Sequence, residues 1–182
     1  MDLIFARAWD YVQRGVDKEF VTGNNDADGV YFLQWVAERF PERTEHIRTK
    51  LVAWGGNASG VNVANIDNLG NVHPDTFWWH YDLGNVRKRP FSEIWQDTSD
   101  PIMAGLKRRP RQIKGRCGQC RRFDICGGNT RVRALQITGD PWEEDPACYL
   151  TDTEIGLPEG GESAARVELT PYRGRRDVAD AS

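Results

Sequence analysis

Cysteine, histidine and methionine are scarce in this chain, at four, three and two of 182 residues. Metal or thiol chemistry therefore has few side chains to rest on, and the cysteines are the ones to place first. Long apolar runs are missing as well. No stretch approaches the ~20 apolar residues that a membrane-crossing helix needs. The start, Met1-Asp2-Leu3-Ile4-Phe5-Ala6-Arg7, lacks a basic segment followed by a sustained apolar one, so it does not read as a secretory signal. These absences point to a cytoplasmic chain with reduced thiols and no membrane partner, where clustered cysteines bind metal more often than they pair as disulfides. On that reading the sequon Asn57-Ala58-Ser59 is a chance match. A net charge of −3 offers no electrostatic case for a nucleic-acid partner.

The small net charge conceals an uneven distribution. Residues 107–133 carry ten Lys and Arg (Lys107, Arg108, Arg109, Arg111, Lys114, Arg116, Arg121, Arg122, Arg131 and Arg133) against the single acid Asp124, a local charge of +9, which leaves −12 for the remainder. Apolar residues make up 39%, with seven tryptophans, enough for one domain or a domain and a half around a modest core.

Periodicity gives an α/β reading. Apolar positions 4, 5, 8, 9 and 12 form a helical stripe from Leu3 to Arg14, with Gly15 as its stop. Glu19-Phe20-Val21-Thr22 reads as a short strand. Helices are expected from Val30 to Phe40 and from Glu42 to Trp54, the first closed by Pro41 and the second by Gly55-Gly56. Val61 to Ile66 and Asn71 to His73, on either side of Asp67-Asn68-Leu69-Gly70, form a candidate β-hairpin. Ser92 is placed to cap a short helix through Trp95, and Pro101 to open another through Leu106. The cysteine region has little periodicity, and after Leu150 the composition becomes Gly-, Glu- and Arg-rich, which predicts a disordered tail over 151–182.

The cysteines are spaced Cys117-x2-Cys120-x5-Cys126-x21-Cys148. A CxxC turn brings two sulfurs to one centre and aims backbone N–H groups at them. Gly118 inside the turn and Gly127-Gly128 after Cys126 permit close approach to a bulky cofactor. Zinc is the rival occupant, although ribbons usually pair two CxxC-type knuckles and Cys126 and Cys148 do not form one. A free-standing four-cysteine iron–sulfur or zinc module for electron transfer or docking is the corresponding alternative function.

The order Asn68-Leu69-Gly70-Asn71-Val72-His73-Pro74, Leu83-Gly84-Asn85-Val86, Phe91-Ser92-Glu93-Ile94-Trp95, Cys117-Gly118-Gln119-Cys120 and Cys126-Gly127-Gly128 resembles the SPASM-type C-terminal domain of radical S-adenosylmethionine (SAM) enzymes. A finer resemblance, to the radical SAM proteins of haem d1 biosynthesis, rests on Thr22-Gly23-Asn24-Asn25-Asp26-Ala27-Asp28-Gly29, His73-Pro74-Asp75-Thr76-Phe77-Trp78-Trp79 and Cys126-Gly127-Gly128-Asn129-Thr130-Arg131-Val132-Arg133. The resemblance implies the end of a partial (β/α) radical SAM barrel over 1–63, then a small irregular SPASM-like domain over 64–150. It implies an auxiliary [4Fe–4S] cluster on Cys117, Cys120, Cys126 and Cys148. It further implies a tetrapyrrole substrate, didecarboxysirohaem, whose two propionates are replaced by oxo groups, and an electron donor such as ferredoxin or flavodoxin. Two departures stand out. Asp75 occupies the place after the hairpin proline where many SPASM domains have a cysteine, which argues against a second auxiliary cluster. The Cys-x3-Cys-x2-Cys signature is absent, so SAM and the cluster that cleaves it are expected only in a full-length enzyme, with the missing half encoded upstream.

Other residues carry two readings. His73, Asp75, His80 and Asp82 alternate as metal ligands can, though a polar rim is favoured. Trp78 and Trp79 suit either a tetrapyrrole wall or a core. Asn24 and Asn25 suit either substrate contact or loop chemistry. The basic run suits either carboxylate recognition or a solvated face.

Overall fold

The computed structural model describes residues 1–23 and 25–158. Asn24 and the 159–182 part of the expected tail lie outside the described residues. The architecture is helix-rich with one small sheet. Helix α1 (Asp2–Gln13) packs through Phe5 and Trp9 against Tyr31, Phe32, Trp35 and Phe40. Helix α2 (Ala27–Arg39) buries Ala27, Val30, Leu33, Trp35 and Val36, the stripe its sequence spacing demands. It begins three residues before the expected start. Pro41 stops it and opens a 3-10 turn (Pro41–Arg43), after which α3 (Thr44–Trp54) runs to Gly55 in left-handed conformation.

The strand expected at Glu19–Thr22 is not formed. The segment is exposed and irregular, with Val21 at 85% accessibility, and no neighbouring strand takes up its backbone groups. The hairpin forms with a shortened first arm. Strands β1 (Asn65–Ile66) and β2 (Asn71–His73) pair antiparallel, Asn65 opposite His73. Val61, Asn62 and Val63 instead send their N–H groups to the Ala58 carbonyl in a tight turn. A third strand, β3 (Gly84–Asn85), pairs with β2 and completes the order β1-β2-β3. Helix α4 (Phe91–Gln96) starts one residue before Ser92, which caps nothing, because Pro90 already sets the entry with its fixed φ. Helix α5 (Pro101–Lys107) opens at Pro101 as expected, and the Asp100 carboxylate accepts from the Met103 N–H.

Four further helices cover the part of the chain that lacks periodicity: α6 (Gly115–Gln119), α7 (Phe123–Cys126), α8 (Arg131–Thr138) and α9 (Asp152–Ile155). Helix α9 corrects the expectation of a disordered tail for its first residues. Thr151 and Glu154 close a capping box, and Ile155 is 2% exposed.

Two apolar clusters result. One joins Trp78, Ile102, Met103, Leu106 and Val132. The other joins Ala27, Val30 and Leu33 of α2 to Ile125, Leu150 and Ile155, with Cys120, Cys126 and Cys148 packed against it. The cysteine region and the N-terminal helices therefore share one core. Ile155→Ala is expected to cost about 2–4 kcal/mol, the usual range for truncating a fully buried aliphatic, read as a lower midpoint in urea unfolding. An unchanged midpoint would place Ile155 outside the cooperative core.

Candidate metal centre

Each cysteine is set by a short local device. Cys117 lies on α6, and Cys120 is that helix's C-terminal cap, its N–H bonding the Cys117 carbonyl at 3.3 Å. Cys126 ends α7, where Gly127 turns left-handed at φ 61°. Cys148 hangs from the loop after α8 through its N–H to the Asp145 carbonyl, 3.1 Å. The close fit is clearest at Gly56. A Cβ there would fall 2.2 Å from the Cys126 carbonyl oxygen, and the residue has φ +69°.

All four cysteines are free and line one pocket, walled by Ala27, Val30, Phe123, Leu150 and Ile155 on its apolar side. Backbone N–H groups reach the sulfurs: Asp145 to Cys117 Sγ at 3.4 Å and Arg122 to Cys120 Sγ at 3.3 Å. The backbone N–H groups of Gly128 and Leu150 act electrostatically on Cys126 and Cys148 in the same direction, opposing burial. Burial pushes every thiol up, Cys117 to about 11 and Cys126 to about 12, with Cys120 and Cys148 raised too. Desolvation opposes the thiolate, and the N–H bonds partly offset it. One buried and three partly buried cysteines, two with N–H donors on their sulfurs, offer soft donor chemistry that a metal centre could use by holding them deprotonated. Among the described residues, no group of three or more His, Cys, Asp or Glu side chains is arranged to hold a metal ion.

The surrounding loops are tied by charge and amide contacts. Arg133 grips the buried Asp145 carboxylate with two bonds, 2.8 and 2.5 Å. Arg116 bonds Asp152 at 2.8 Å and the Leu150 carbonyl at 2.7 Å, and its own N–H donates to Glu144 at 2.6 Å. Asn129 is left-handed at φ 59°, a conformation that asparagine tolerates. Its side chain accepts from the Asp26 N–H and donates to Asn25 Oδ1, 3.0 and 2.6 Å, which ties the Cys126 loop to the start of α2. Asn25 also donates to the Ala147 carbonyl, beside Cys148. Burial raises the Asp26 carboxyl to about 6.

The basic run divides: Arg108, Arg109, Lys114 and Arg121 are exposed, whereas Arg111 and Arg131 are withdrawn into the fold. Arg111 and Arg131 are 4% and 0% exposed, and Lys114 pairs with Asp140 and Glu143. Burial pushes Arg111 down to about 9, still protonated at neutral pH. Nothing in the sequence separates these two buried arginines from their exposed neighbours, because all ten look alike in a charge count.

The alternating His/Asp set is structural. His73 is buried, and its Nδ1 stands 2.9 Å from the Tyr81 carbonyl, so Nδ1 carries the proton. Asp75 accepts from the Phe77 N–H at 2.7 Å and from the Ser59 hydroxyl. His80 is exposed and packs on Trp78. The tryptophans divide: Trp78 is core at 0% exposure, and Trp79 faces outward at 70%. Gly56→Ala is expected to displace the Cys126 turn and to destabilise the protein by about 1–3 kcal/mol, as overpacking does. Thermal unfolding of the variant checks this, and an unaltered Tm would contradict the close contact.

No protein-family profile and no solved structure matches the chain. Characterised relatives do. Pre-heme d1 synthase of Dinoroseobacter shibae is 56% identical over 178 residues, 97% of this chain and 43% of that protein. Fe-coproporphyrin III synthase of Methanosarcina barkeri is 45% identical over 162 residues, 87% of this chain and 41% of that protein. The AdoMet-dependent heme synthase of the same organism is 36% identical over 93 residues, 51% of this chain and 25% of that protein. The chain spans less than half the length of these relatives. With such identity along almost its whole extent, it belongs to the radical SAM haem synthase family.

Proposed function

We propose that this chain is the C-terminal, auxiliary-cluster part of a radical SAM enzyme of haem d1 biosynthesis. In this reading residues 1–63 end the partial barrel and 64–150 form the SPASM-like domain. The carrying observation is that four free cysteines line one largely buried pocket in a chain 56% identical to pre-heme d1 synthase. Cys117, Cys120, Cys126 and Cys148 would each hold one iron of a [4Fe–4S] cluster. When bound, the cluster supplies a one-electron store whose potential its surroundings set.

The chain's own residues do the rest. Ala27, Val30, Leu150 and Ile155 exclude water from one side. The N–H groups of Asp145 and Arg122 orient the sulfurs and stabilise negative charge on them. Arg116 stabilises the charge on Cys148. The Arg133–Asp145 pair holds the loop that brings in Cys148. All four cysteines are used here, so none is left to build an iron with an open position for SAM. Radical initiation is assigned to the remainder of a longer enzyme. That enzyme would convert didecarboxysirohaem, exchanging two propionates for oxo groups, with a ferredoxin- or flavodoxin-type carrier as its electron donor.

Anaerobic reconstitution with iron and sulfide should give brown protein with about four irons per chain, and Cys120→Ser should lower the iron content. Colourless protein holding one tightly bound zinc would sink the reading. The isolated chain, given SAM and a strong reductant, should yield no 5′-deoxyadenosine. Its formation would overturn the division of labour.

A further inference from the structure

Two arginines in this structure are buried with no carboxylate in direct ion-pair contact. Arg111 is 4% exposed and Arg131 is fully buried. Among the described residues, no carboxylate stands within ion-pair distance of either. Asp145, which Arg131 feels electrostatically, is already engaged by Arg133. Both guanidinium groups spend their donors on backbone carbonyls. Arg111 bonds those of Leu106 at 3.1 Å, Asn57 at 2.9 Å, Ser59 at 3.3 Å and Gly127 at 3.5 Å. Arg131 bonds those of Gly128, Asn129, Pro141 and Glu143. Carbonyl dipoles solvate a cation but do not neutralise it, and a buried unpaired charge is costly to keep.

Arg111 is electrostatically coupled to Asp26 and then to Cys126, and Arg131 to Cys117, Asp145 and Cys126, so Cys126 is a group that acts on both cations. The two arginines hold successive carbonyls, Gly127 and Gly128, immediately after Cys126. In a planar trans peptide the N–H points opposite to the preceding C=O. Drawing the Gly127 carbonyl toward Arg111 therefore turns the Gly128 N–H the other way, and the dipole of that N–H opposes the effect of burial on the Cys126 thiol.

We propose that Arg111 and Arg131 are charge-setting positioning residues, whose two buried positive charges are balanced by the thiolate-bound cluster and hold its reduction potential up. The inference rests on the cluster reading above and deepens it. More positive charge near a cluster favours the added electron.

The test is a redox titration of the reconstituted 182-residue protein and of Arg111→Gln, Arg111→Lys, Arg131→Gln and Arg131→Lys. Visible absorbance and EPR follow the cluster, iron analysis reports occupancy, and far-UV circular dichroism reports folding. Each Gln variant that retains four irons should titrate at a more negative midpoint than wild type, and each Lys variant should return toward the wild-type value. Gln variants that lose the cluster while their Lys counterparts retain it would support the same requirement for charge. Unshifted midpoints in fully loaded Gln variants would overturn the proposal. So would Lys variants that shift as far as Gln, or that lose the cluster alongside it, since the carbonyl clamps and not the charge would then matter. Wild-type protein that takes up no cluster at all would refute the cluster reading itself, a separate and distinguishable failure.

Discussion

Withdrawal of four thiols from water is the constraint on which the rest of this structure depends. Each sulfur sits where burial disfavours its charged form, and the surroundings offset part of that penalty. The backbone aims N–H groups at the sulfurs, and arginines approach from several directions. The apolar wall is borrowed from α2 and α9, elements that lie far from the cysteines in sequence. A core assembled around such a pocket can be small, because a bound centre would contribute its own cohesion.

The same constraint explains the division of the charged residues. Arg133 and Arg116 meet carboxylates and act as fasteners, one holding the loop before Cys148 and the other the start of α9. Arg111 and Arg131 bond carbonyls and are coupled electrostatically to the thiols. The concentration of +9 over residues 107–133 is therefore only in part a surface property. Much of it is consumed inside the fold, and the negative charge of the remaining chain supplies partners such as Asp140, Asp145 and Asp152.

The relatives bear the names of haem-type synthases. In this chain the cysteine pocket is walled by apolar side chains on one side, and backbone N–H groups reach two of its sulfurs. The Asn25–Asn129 contact links that pocket directly to the loop ahead of α2.

Residue spacing by itself determined the helices α2 and α3, whose apolar stripes and Pro41 and Gly55 stops are local signals, and it determined the hairpin around Asp67–Gly70. It also singled out the four cysteines, because CxxC geometry is a property of a few adjacent residues. The strand expected at Glu19–Thr22 failed because a strand exists only with a partner, which no local pattern supplies. Helices α6 to α9 were illegible because each is only four to eight residues long, too short to show a period and held instead by caps and by contacts across the chain. Only the tertiary structure decided which arginines of a uniform basic run are buried, which of two adjacent tryptophans is core, and that Ile155 closes the wall behind the sulfurs. Burial is set by what packs on a residue from elsewhere in the chain, and that information is not written at the residue itself.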